Sequence, residues 1–168
     1  MAKEERMLKN LWAPWRLAFI VEEKKDVCIF CEKPKENDDD KNLIFARGGS
    51  VFGMLNKYPY NAGHLMIAPY RHIKNIEDLE EGEWKEIFEL LRDSMNVLKR
   101  TMSPEGFNIG FNVGRAAGAG YDHIHLHVVP RWNGDTNFMP VLSDTKVIPE
   151  HLEETYRKIR DGIRALKP

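Results

Sequence analysis

The sequence predicts an α+β fold: a mainly antiparallel sheet, one long helix packed on it, and a second helix near the C-terminus. Three observations carry that expectation. His123-Ile124-His125-Leu126-His127-Val128-Val129 opens by alternating polar and apolar residues, as a strand does when its side chains leave on opposite faces. Trp84, Ile87, Phe88, Leu91, Met95, Leu98 and Met102 recur at three- and four-residue spacing, the buried stripe of a helix. The other apolar runs are short and separated by turn residues, as in a sheet of several strands.

In chain order, Met7 to Ile20 holds Leu8, Leu11, Trp12, Trp15, Leu17 and Phe19 around Pro14, which is too aromatic for a free tail and is expected to pack on the body or on a partner chain. Residues 36–42 are acidic and polar, expected to form a solvated connection. Strands are predicted over 43–46 and 51–55, joined by Gly48-Gly49-Ser50, and over 64–69 after the turn residues Tyr58 to Gly63. The long helix follows and ends at Pro104 and Gly106. Phe107, Ile109, Phe111 and Val113 alternate with Asn108, Gly110 and Asn112, predicting a half-buried strand. A glycine-rich link, Gly114 to Gly120, feeds the histidine strand, which stops near Pro130. Leu152, Tyr156, Ile159, Ile163 and Leu166 mark the last helix.

At 168 residues this is the length of one domain, read as an arm (1–27), a core (28–132) and a C-terminal extension (133–168). A net charge of -1 argues against a footprint for nucleic acid. No apolar run is long enough to span a membrane. The charged N-terminus leads into no apolar segment that a secretion signal needs, so the expected location is cytoplasmic.

The histidine strand carries the chemistry. Three imidazoles on one face, each ~6.6–6.8 Å from the next by strand geometry, make a poor core but a good site for gripping or attacking an anion. A neutral imidazole nitrogen can attack an α-phosphate in line and form a phosphoramidate, which water or phosphate then resolves. That nitrogen must be bare, so the other should donate to a fixed acceptor such as a strand carbonyl. The central His125 suits this role, with His127 donating to a bridging or non-bridging oxygen. The glycines, Gly118 and Gly120 among them, fit either a phosphate-binding nest of backbone N–H groups or a tight loop. Cys28-Ile29-Phe30-Cys31 fits half of a tetrahedral zinc site or a pair of reduced buried thiols.

The histidine strand resembles the signature of the histidine triad (HIT) family, His-φ-His-φ-His-φ-φ with φ apolar. Asn56 to His64 resembles that family's nucleoside-binding segment, and Asn112, eleven residues before His123, falls where the family places a phosphate-side amide. The match spans about residues 28 to 132. Leu11 to Arg16 and Val129 to Phe138 resemble the prokaryotic branch related to diadenosine tetraphosphate phosphorylases. The resemblance implies a HIT-like fold, a homodimer, a His125 nucleophile and a nucleotide or dinucleoside polyphosphate substrate. It places Asn56 on the sugar and Asn112 on the phosphate, and adds His72 and His123 to the cysteines as ligands of a structural zinc, as in zinc-bearing relatives. Where the family often has Ser or Thr, three residues before the first triad histidine, this chain has Gly120, so that hydroxyl donor is missing. The rival readings are a nucleotide-binding module without turnover and a zinc-stabilised interaction domain. The complete triad argues against the module. His64 is expected to support the site from behind.

Overall fold

A computed structural model describes residues 27–135, 148 and 150–166. The aromatic segment 7–20 and part of the 129–138 run lie outside the described residues. Five strands form one antiparallel sheet in the order β1-β2-β3-β5-β4: β1 Ile44–Arg47, β2 Val51–Leu55, β3 Leu65–Pro69, β4 Gly106–Phe111 and β5 Leu126–Arg131. Two short helices, α1 Ile29–Glu32 and α2 Asp39–Asn42, precede the sheet; α3 Glu81–Met102 separates β3 from β4, and α4 Leu152–Arg164 follows β5. The predicted fold class is the one observed.

Alternation along the strands gives the sheet two apolar faces. Phe45, Val51, Leu55, Leu65, Ile67, Leu126 and Val128 share one cluster with Ile87, Leu98, Ile159 and Ile163 of the long helices. The opposite face carries Ile44, Phe52, Met54, Met66 and Ala68, packed with Phe30 from α1. Register lines up one row across this second face: Ile44 opposite Met54, Met54 opposite Met66, Met66 opposite His127, and His127 opposite Gly110. The site is built on that row.

Helix α3 starts with a capping box between Glu80 and Glu83 and stops where Ser103 turns left-handed (φ 49°) before Pro104. Glu86, half-buried on this helix, accepts from the N–H groups of Gly49, Ser50 and Val51 and holds the β1–β2 turn. Helix α4 crosses α3 closely, since a Cβ on Gly162 would lie 2.5 Å from Cγ1 of Val97.

Three expectations need correction. The 36–42 segment is not a plain solvated link. It contains α2, capped by Asp38 accepting from Lys41 N–H, and Asn42 is buried, donating to Lys33 O and Glu36. The histidine strand begins at Leu126 rather than His123, because Ile124 N–H leaves the ladder to donate to Ile73 O. The β4 alternation is only partly covered: Phe107 and Phe111 pack on the core, whereas Ile109 and Val113 are exposed at 43% and 41%. β4 is an edge strand.

Candidate active site and metal centre

His123, His125 and His127 are all buried, and burial holds their neutral forms below the ordinary imidazole value. It lowers the pKa of His125, and with neighbouring histidines it lowers those of His123 and His127 to about 4. Fixed partners then decide where each proton sits. His125 Nδ1 lies 2.7 Å from the carbonyl of His123. A carbonyl only accepts, so Nδ1 carries the proton and Nε2 keeps its lone pair. This is the arrangement the sequence reasoning required of an imidazole nucleophile.

A second pair sets His127. The Tyr60 N–H donates to His64 Nδ1 at 3.1 Å, and the Asn56 amide nitrogen stands 3.4 Å from the same atom. His64 therefore carries its proton on Nε2 and donates to His127 Nδ1 at 2.9 Å. The remaining proton of His127 sits on Nε2, which is buried and without a partner among the described residues. His127 thus presents a donor beside His125, their ring centroids 4.6 Å apart. His64 was expected to support the site; here it fixes the tautomer of His127. Burial, then His127 and His125, lower its pKa to about 3.

Sequence reasoning missed Phe30, and it read Tyr60 only as part of the Asn56 to His64 segment, with no role of its own. Phe30 stacks on His125 with centroids 4.4 Å apart, and Tyr60 stacks on His127 at 5.7 Å. Their signals were weak: an aromatic between two cysteines, and an aromatic four residues before His64.

Of the predicted substrate residues, Asn56 is tied to the triad through His64. Asn56 Oδ1 accepts from Tyr58 N–H at 2.9 Å, which fixes the amide in its own turn. Asn112 Nδ2 lies 3.7 Å from where a Cβ on Gly118 would stand, so the amide and the loop share one side. Gly118 is left-handed (φ 89°), closing a 3-10 turn over Arg115–Ala117. Gly120 faces open space, and a Cβ there would meet nothing within 4 Å.

Cys28, Cys31, His72 and His123 form a second constellation, with one ligand atom from each within 4.8 Å of all the others. Cys28 Sγ and Cys31 Sγ stand 3.4 and 3.5 Å from His123 Nδ1, and Cys31 Sγ stands 3.2 Å from His72 Nδ1. A tetrahedral zinc ion with ordinary Zn–S and Zn–N bonds needs ligand separations of about 3.5 Å, so the set fits. The tautomer fits too: His123 Nε2 donates to Pro69 O at 3.0 Å, which leaves Nδ1 bare and facing the sulfurs. Burial and the neighbouring Cys28 push the Cys31 thiol up to about 11, a penalty a cation would remove. The loop bearing His72 is held by Arg71, paired at 2.7 Å with the buried Glu83 of α3.

A two-face sheet carrying three histidines in this arrangement defines a class, and the chain belongs to the HIT domain family, whose model matches residues 37–134. The AP-4-A phosphorylase of Mycobacterium tuberculosis (strain ATCC 25618 / H37Rv) is 41% identical over 160 residues, covering 89% of this chain and 82% of that protein. The asymmetrical bis(5'-nucleosyl)-tetraphosphatase of Schizosaccharomyces pombe is 30% identical over 105 residues, 56% of this chain and 58% of that one. Among solved structures, a zinc-bound histidine triad family protein from Mycobacterium smegmatis superposes with a TM-score of 0.67 at 27% identity, covering 83% of this chain and 94% of that chain.

Proposed function

We propose that this protein is a HIT enzyme that cleaves dinucleoside polyphosphates of the diadenosine tetraphosphate type through a nucleotide carried on His125. The observation that carries the reading is the fixed tautomer of His125, with Nδ1 bound to the His123 carbonyl and Nε2 bare. The likeness to the M. tuberculosis phosphorylase supports the substrate class. Nε2 attacks the α-phosphorus, the bond to the bridging oxygen breaks, and the leaving polyphosphate takes the electron pair. The positive charge left on the imidazole is stabilised by the Nδ1–H bond to the carbonyl. His127 Nε2–H donates to a phosphate oxygen, Asn112 with the Gly118–Gly120 loop cradles the group, and Asn56 holds the sugar. Phosphate or water then displaces the imidazole, giving a nucleoside diphosphate or monophosphate.

Cys28, Cys31, His72 and His123 would hold a zinc ion. Four protein ligands leave no open position, so its contribution is structural. Both cysteines are free thiols, which suits a reducing, cytoplasmic setting. No helix among the described residues is long and apolar enough to cross a membrane. The edge of β4, unpaired among the described residues, with its exposed Ile109 is a fitting surface for a second copy, so a homodimer is part of the proposal.

The test is to incubate the protein with diadenosine tetraphosphate, with and without phosphate, and identify the products. ATP with ADP, formed only with phosphate, marks a phosphorylase; ATP with AMP marks a hydrolase. His125→Ala should abolish turnover while nucleotide binding survives. Wild-type turnover in that variant removes the mechanism.

A further inference from the structure

Four rings form a row on the site face of the sheet. Phe30 stacks on His125 at 4.4 Å, His125 meets His127 at 4.6 Å, and Tyr60 stacks on His127 at 5.7 Å with an interplanar angle of 26°. The two ends differ. Phe30 is 1% exposed inside the apolar cluster with Ile44 and Phe52, whereas Tyr60 is 52% exposed. An in-line displacement places the attacking His125 nitrogen and the departing oxygen on opposite sides of phosphorus. The departing group needs a hydrogen-bond donor and a way out. His127, whose Nε2 is a buried donor without a partner among the described residues, is the ring between His125 and the exposed Tyr60.

The Tyr60 backbone N–H is committed to His64, but its side chain is not needed there. The hydroxyl has no hydrogen-bond partner among the described residues, and the rings that meet Tyr60 there are those of His64 and His127. We infer that Tyr60 is a stacking platform for the base of the departing nucleotide, and so selects substrates bearing a nucleoside at both ends. This deepens the nucleotidyl-transfer reading and rests on it. Stacking on an aromatic face tolerates any base, because each base has a π-face.

The test uses the full-length, metal-loaded protein and two substrates: diadenosine tetraphosphate, and adenosine 5'-tetraphosphate, which lacks the second nucleoside. The readout is the ratio of their kcat/KM values. Tyr60→Leu should lower the ratio about tenfold, the scale of losing one base–aromatic stack. Tyr60→Phe and Tyr60→Trp, which keep a π-face, should retain it. A Tyr60→Leu ratio equal to wild type, through parallel losses or none, overturns the platform while leaving the nucleotidyl-transfer reading in place. So does a tenfold loss in Tyr60→Phe. A wild-type protein that cleaves neither compound overturns the underlying reading and the platform with it.

Discussion

His64 determines what His127 can offer. With Tyr60 N–H feeding His64 Nδ1, protons along the pair point one way, and His127 presents a hydrogen. The neutral pair can lend that hydrogen bond but cannot surrender the proton without leaving an imidazolate. Such a site favours leaving groups that are stable as anions, as polyphosphates are. Replacing His64 with Phe frees the tautomer of His127, and kcat should fall about 10²-fold, the lower range for losing one preorganised donor. Steady-state kinetics that show an unchanged kcat would remove His64 from the machinery. Burial lowers the pKa of His125, so its nucleophilic form persists below the ordinary value of 6.5. The acid limb of the pH profile of kcat/KM should therefore lie below 6.5, and a limb at or above it contradicts the buried nucleophile.

At the scale of elements, Gly162 offers a sign test. Alanine in a helix normally stabilises by about 0.8–1 kcal/mol over glycine. Here its methyl would stand 2.5 Å from Val97, and overpacking costs about 1–3 kcal/mol. Gly162→Ala should lower the denaturation midpoint; a raised midpoint would mean that α3 and α4 are less close. Cys28→Ser should lower both zinc content, measured by metal analysis, and the melting temperature. The elements that hydrophobic period describes were readable in the sequence: Ile87, Leu91 and Leu98 are buried, and Ile124, Leu126 and Val128 enter the core. Phe88, at the margin of its stripe, is 58% exposed, because spacing alone does not say how wide the covered face is. The α2 turn escaped notice because side-chain bonds to backbone hold it, and these leave no apolar period. The candidate site was legible where chemistry sits in one motif, at His125 and His127. The His64–His127 bond joins residues 63 apart, and only the pairing of β3 with β5 brings them together.

For the whole molecule, the buried histidines set a pH window of stability. Unfolded, His64 and His127 take up protons near 6.5; folded, they resist until about 3 and about 4. Between these values the unfolded chain binds more protons, so stability is complete above 6.5 and drains away as pH falls toward 4 and then 3. A cation at the cysteine–histidine site pushes the same way, since its ligands must be deprotonated. Chemical denaturation should give a lower free energy of unfolding at pH 5 than at pH 7.5. An equal or higher value at pH 5 would mean that these imidazoles are solvated.

The order of synthesis gives the Phe30 stack a further meaning. Cys28 leaves the ribosome 95 residues ahead of His123, and His125 follows two residues later. The thiols wait through most of the chain before their last partner arrives. When it does, the same short stretch completes the cysteine–histidine cluster and brings His125, the proposed nucleophile, under Phe30. A truncated chain has neither, so on the proposed mechanism a half-made copy cannot form the bond between nucleotide and His125.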